Sequence, residues 1–150
     1  MTEEAKLRHE HTIEVRDRCL CFRTQRAARA LARRFDEALR PFGLTNGQFS
    51  LLMAMNRPEP ARLAPLADFL AMDRTTLTAA LKPLDRRGLI TLQVDPNDRR
   101  GRLVSLTEEG KALLFDALPI WRSEHNALDA ELRETDLDTL KDGLAALSQT

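Results

Sequence analysis

The sequence predicts a mainly α-helical chain with one small β-hairpin, and three observations carry that prediction. Apolar side chains recur at a spacing of about 3.6 residues through residues 13–39, 63–84 and 113–147, the period of one helix face. Between residues 90 and 106 the alternation shortens to about 2, the period of a strand. Proline and glycine punctuate the boundaries, at Pro41, Gly43, Pro58, Pro60, Gly88 and Pro96.

Composition narrows the class. The 150 residues suit one domain, and a 43% hydrophobic content is enough to build a core. The longest uninterrupted apolar run is residues 51–55, far short of the roughly 20 residues of a spanning helix. The opening Met1-Thr-Glu-Glu-Ala-Lys has no apolar leader segment, and two cysteines two residues apart cannot staple a small secreted fold. The expectation is a soluble, cytoplasmic chain with no membrane partner.

The elements follow in order. A first helix is expected over residues 13–39, where Ile13, Leu20, Ala27, Leu31, Phe35 and Leu39 share a face and Pro41 ends it. Thr45-Asn-Gly-Gln48 reads as a capping box opening a short helix through Phe49, Leu52 and Met53. Leu63, Leu66, Ala67 and Leu70 mark the next helix, with Pro65 in its first turn. Asp73 is the N-cap of a helix whose buried face is Leu77, Leu81 and Leu84, and Gly88 closes it after Arg86-Arg87. Pro83 lies inside that helix, where a kink is expected.

Ile90, Leu92 and Val94, then Val104 and Leu106, form a two-stranded hairpin around the charged turn Asp95-Pro-Asn-Asp-Arg-Arg-Gly-Arg102. Thr107 caps a helix through Leu113, Ala117, Trp121 and Leu128, bent at Pro119. A last helix carries Leu137, Leu140, Leu144 and Leu147.

Net charge is zero, with 23 basic and 23 acidic side chains, but the distribution is uneven. Residues 57–102 carry nine basic and six acidic side chains, whereas residues 103–150 carry four and ten. A locally basic face can bind a polyanion whatever the total. Three short helices followed by a hairpin is the element order of a winged helix-turn-helix. The terminal helices are too apolar on one face to stand alone, and a second copy of the chain is the simplest partner.

At this point the residues resemble a family. Residues 39–52 (Leu-Arg-Pro-Phe-Gly-Leu-Thr-Asn-Gly-Gln-Phe-Ser-Leu-Leu), 66–77 (Leu-Ala-Asp-Phe-Leu-Ala-Met-Asp-Arg-Thr-Thr-Leu) and 95–110 are similar to MarR-type transcriptional regulators. The likeness covers residues 19–118, and its most specific part is the wing, with Asp98, Arg100, Leu106, Thr107 and Gly110 where the family places them. Ala71 stands where the family commonly has glycine, which would tighten or tilt the turn.

The resemblance implies one MarR-type domain over residues 1–150, with dimerisation helices in 1–44 and 111–150 and a winged helix-turn-helix in 45–110. It implies a homodimeric repressor released from a palindromic operator in double-stranded DNA by a small organic effector. The helix opening at Asp73 becomes the recognition helix, with Arg74, Thr75, Thr76 and Thr78 facing the bases and Lys82 and Arg86 facing phosphate. Arg100 becomes the wing arginine of the minor groove, steadied by a charge-assisted bond from Asp98, with Arg99 and Arg102 on phosphate.

The sensing chemistry has two readings. The family commonly binds aromatic acids in a cleft between dimerisation helices and winged domain, which here implies Cys19, Phe22, Arg23, Phe49, Met53 and Trp121. The alternative is thiol-based redox sensing, or metal sensing, through Cys19 and Cys21. Cys21-Phe22 resembles the reactive cysteine of the family's peroxide sensors. Their tyrosines, however, match Phe35 and Asn46, and this chain has no tyrosine. Cysteines at i and i+2 on a helix point about 200° apart, which separates the two thiols. His9 and His11 read as part of a solvated N-terminal arm and His125 as a surface residue, so no metal or other cofactor is expected. No phosphate loop, H-E-x-x-H or nucleophile with a base is present, which argues against an enzyme.

Overall fold

The computed structural model describes residues 6–149; segment 1–5, which holds most of the stretch examined for a leader, lies outside them. The chain forms two compact units, residues 1–34 and 35–150.

In the first unit, two helices replace the single one expected from residue 13: α1 (His9–Arg18) and the start of α2 (Leu20–Leu39). The break is Cys19, whose ψ of 107° is extended backbone. Both flanks are satisfied there. The Cys19 N–H donates to the Val15 carbonyl at 2.9 Å, and its Sγ accepts the Phe22 N–H at 3.3 Å, capping α2. The Arg23 guanidinium takes up the Asp17 carbonyl at 3.0 Å. Apolar spacing is blind to one extended residue, because the pattern on either side survives. His9 and His11 belong to α1 and not to a free arm, since His11 Nδ1 accepts the Arg8 N–H at 2.9 Å and closes the helix start. Leu20 and Leu31 remain exposed on α2.

The second unit holds the core. After Phe35 and Leu39 on the end of α2, a 3-10 turn (Arg40–Phe42) leads to α3 (Asn46–Ala54). The expected capping box is present: the Gln48 N–H donates to Thr45 Oγ1 and the Thr45 N–H to Gln48 Oε1, each at 3.1 Å. Then follow β1 (Ala61–Arg62), α4 (Leu63–Phe69), α5 (Arg74–Arg86), β2 (Ile90–Asp95), β3 (Asp98–Leu106), α6 (Glu108–Glu131) and α7 (Leu137–Leu147). Leu39, Leu52, Leu66, Leu77, Leu81, Leu84, Ile90 and Val104 are its largest fully buried side chains. Each such burial contributes about 1.5–3 kcal/mol, which is what the helical spacing was arranged to secure.

The sheet departs from expectation in two ways. It has three strands in the order β1-β3-β2, because Ala61 and Arg62 pair antiparallel with Val104 and Leu103. Two residues are too few to show a period. The hairpin also turns more tightly: only Pro96-Asn97 is turn, and Arg99, Arg100 and Arg102 lie on β3. The Asp95 and Asp98 carboxylates compress it by accepting the Asn97 and Arg100 N–H groups at 2.9 and 3.0 Å. Pro83 and Pro119 lie inside helices that nevertheless continue to Arg86 and Glu131.

Where α5 ends, Gly88 adopts φ +70°, and the Leu89 N–H reaches back to the Leu84 carbonyl at 3.0 Å. The Leu89 carbonyl then accepts the Thr107 N–H at 3.1 Å, at the start of α6. A Cβ on Gly110 would lie 2.2 Å from that same carbonyl oxygen. Gly110→Ala is therefore expected to cost about 3 kcal/mol through forced overpacking. Urea denaturation measures it, and an alanine variant as stable as the parent would contradict the close approach.

Candidate nucleic-acid interface

Helix α5 is set by its two ends. At the first, Asp73 Oδ1 accepts the Thr76 N–H at 2.8 Å and Oδ2 accepts the Thr76 hydroxyl at 2.7 Å. Thr76, expected to face the bases, thus spends its hydroxyl proton on the cap. Before the cap, α4 closes with the Met72 N–H on the Ala67 carbonyl at 2.9 Å and the Ala71 N–H on Asp68 at 3.1 Å. This closure needs a left-handed residue, and Ala71 supplies it at φ +52°. A β-carbon in that region costs roughly 1–2 kcal/mol, so the turn stores strain where the two helices are angled.

Leu77, Leu81 and Leu84 bury one face of α5. On the opposite face, Arg74, Thr75, Thr78, Ala79 and Lys82 line an open groove of about 400 Å³, and Arg86 is exposed beyond it. The exposed wing arginines Arg99, Arg100 and Arg102 make no ion pair among the described residues. Asp98 does not salt-bridge Arg100 as expected. Its carboxylate accepts the Arg100 backbone N–H, because an aspartate two residues back is placed for a tight turn and leaves the guanidinium free. A second groove, of about 220 Å³, has Arg62, Arg74, Asp95, Asp98 and Arg102 in its lining and joins the start of α5 to the wing. Arg62 and Asp95 escape sequence reading, since they lie 33 positions apart and neither belongs to a local pattern. Arg87, just past the end of α5, donates to the Gly43 carbonyl at 2.7 Å.

The residues assigned to an effector fall in both units. In the first, Phe22 and Arg23 share a groove of about 530 Å³ with Arg16, Asp17 and Arg26, and Cys19 lies just ahead of them. In the second, Phe49 stacks on Trp121 at 6.0 Å, and Met53 lines two cavities, both of which also have Asn56 in their lining. His125 is no surface residue: it is half-buried, 4.2 Å from Trp121 and 4.6 Å from Phe35. Cys19 is half-buried and Cys21 exposed, both as free thiols. Because Cys19 lies outside both helices, the helical argument for separating the two sulfurs does not apply. Among the described residues no group of three or more His, Cys, Asp or Glu is placed to hold a metal, and no helix is long and apolar enough to cross a membrane.

Comparison with known proteins agrees with this geometry. A model of the MarR family matches residues 44–101. The organic hydroperoxide resistance transcriptional regulator of Bacillus subtilis is 31% identical over 101 residues, covering 67% of this chain and 69% of that one. The crystal structure of the M. tuberculosis transcriptional regulator MosR in complex with DNA superposes with a TM-score of 0.80 at 37% identity, over 87% of this chain and 94% of that one. The transcriptional repressor CouR, bound to a 23-mer DNA duplex, gives a TM-score of 0.78 at 26% identity, over 96% and 99%.

The cap of α5 is also testable by pH. The Thr76 N–H, and secondly its hydroxyl, hold the Asp73 carboxyl below its ordinary 3.8. A lowered folded value means the contribution is full above pH 3.8 and is lost as pH falls through the folded value. Asp73→Asn keeps an acceptor without the charge, so its stability deficit against the parent should shrink as denaturation is repeated below pH 3.8. A deficit that is constant through the acid range would contradict the assignment.

Proposed function

This chain belongs to the MarR family of DNA-binding transcriptional regulators, and on that premise we propose that it is a homodimeric repressor, released from a palindromic operator by a small anionic aromatic effector. The observation that carries the DNA contact is the pairing of one exposed α5 face with an arginine-bearing strand beside it. A 13-residue helix fits the major groove, with Arg74, Thr75 and Thr78 at its base-facing start and Lys82 and Arg86 on phosphate. Arg100 enters the adjoining minor groove, with Arg99 and Arg102 on the backbone. Thr76 and Asp98 act as supports, one capping α5 and the other holding the wing turn.

Dimerisation is assigned to residues 1–44 and 111–150, with the DNA-binding region in 45–110. Its support is the apolar surface left open on those segments. Leu140, Leu144 and Leu147 are each more than 40% exposed on α7, and Leu20 and Leu31 are exposed on α2. The effector reading is supported by the groove of Arg16, Phe22, Arg23 and Arg26, where the Arg26 guanidinium lies 5.9 Å from the Phe22 ring centre. Guanidinium groups beside an aromatic ring suit a carboxylate on a flat apolar body.

A specific observation favours a second reading, a thiol switch. Cys19 is the junction of α1 and α2 and its sulfur caps α2, so oxidation there acts on backbone geometry. The Bacillus subtilis relative, a hydroperoxide-resistance regulator, points the same way.

Two outcomes are expected. Arg100→Ala should weaken operator binding by about 1–3 kcal/mol in fluorescence anisotropy, and binding as tight as the parent's would remove the wing from the account. A Cys19→Ser/Cys21→Ser double variant should still release DNA with aromatic acids. If it answers no inducer while the parent answers only oxidants, the thiol reading replaces the effector reading.

A further inference from the structure

Asp95 is the one buried charged side chain of the described residues, at 3% exposure. A buried carboxylate is costly unless it is paired and hydrogen-bonded. One oxygen accepts the Asn97 N–H at 2.9 Å, which shapes the wing turn. The other lies 3.3 Å from Nε of Arg62, on β1 directly ahead of α4. One ion pair therefore ties the root of the helix-turn-helix to the wing.

The pair is asymmetric. The Arg62 side chain is 62% exposed while that of Asp95 is 4% exposed. The closest approach to the aspartate is at Nε, and the Nη groups make no hydrogen bond among the described residues, so much of the five-donor fork is free. The groove it enters also has Arg74 and Arg102 in its lining, against Asp95 and Asp98. Three guanidinium groups against two carboxylates leave one positive charge in excess. A single phosphodiester would neutralise it.

We propose that Arg62 is a DNA-backbone contact, aimed by the buried Asp95, that closes on the phosphate lying between the major-groove helix and the minor-groove wing. The site rests on the DNA-binding reading. Arg74 opens α5 and Arg102 belongs to β3, so strand backbone passing from one groove to the next runs between them. Asp95 holds the guanidinium at Nε and leaves the forked end for a bidentate phosphate bond. In this role Arg62 carries no sequence preference.

The test compares the full-length chain with Arg62→Gln and Arg62→Lys on a duplex from its own upstream region and on a scrambled duplex, between about 50 and 200 mM salt. Arg62→Gln should lose about tenfold on both duplexes, and its log–log salt slope should fall in magnitude by about 0.9; Arg62→Lys should keep the slope. An affinity loss with unchanged slope means that Arg62 only braces the wing, which overturns the proposal. No change in either quantity, while Arg100→Ala still weakens binding, overturns it and leaves the DNA-binding reading intact. A parent chain with no salt-dependent binding overturns both. Should Arg62→Gln fail to fold, single methylphosphonate substitutions in the duplex replace it. Loss of about tenfold at one phosphate between the two grooves supports the contact, and no loss at any of them overturns it.

Discussion

The half of the molecule proposed to face DNA depends on one backbone contact, the approach of α6 to the Leu89 carbonyl at Gly110. Leu89 follows α5 and closes it with its N–H on the Leu84 carbonyl, begins the route into the wing, and accepts the Thr107 N–H where β3 gives way to α6. Thr107 reinforces the junction by donating its hydroxyl to the Gly88 carbonyl at 2.6 Å while accepting the Gly110 N–H at 3.0 Å. The end of α5, the root of the wing and the start of α6 therefore meet within a few residues. A wing is a lever, and its tip is only as well placed as this root. The motif residues Thr107 and Gly110 thus serve the geometry of this junction.

A chain with no net charge presents a basic face because its acids concentrate in residues 103–150, and the acids near that face bond backbone donors and leave most arginines unpaired. Asp73 caps α5, and Asp95 and Asp98 each accept a turn N–H, so three carboxylates near the proposed interface are turned to local backbone donors. The arginines around them stay exposed and mostly unpaired. Exposed ion pairs would have contributed little stability, about 0–1 kcal/mol, and would have competed with phosphate for the same guanidinium groups. Folding and binding are served by separating the two roles: carboxylates hold the backbone and arginines remain available.

Features whose causes are local could be read in the sequence. The Thr45–Gln48 box, the Asp73 and Thr107 caps and the Gly88 closure each depend on residues within three or four positions, and the structure contains all of them. The leucine faces of α4 and α5 were equally plain. What escaped reading has non-local or single-residue causes. The helix break at Cys19 needs only one extended residue, β1 is two residues long, and the Arg62–Asp95 pair joins distant strands. Motif logic placed Asp98 beside Arg100, but only the turn geometry shows that it bonds the backbone. His125 looked like a surface residue because its ring partners are Phe35, far away in sequence, and Trp121 one helical turn before it.

In the proposed complex, α5 and the wing engage neighbouring grooves of one duplex from a single rigid junction. Hydroxyl-radical footprinting of the chain on its operator tests this most directly. The predicted result is protection of backbone on both sides of each major-groove half-site, extending into the flanking minor groove, with the two half-sites about one helical turn apart. Protection confined to the major-groove half-sites, with the flanking minor grooves cut as freely as in naked DNA, would contradict it.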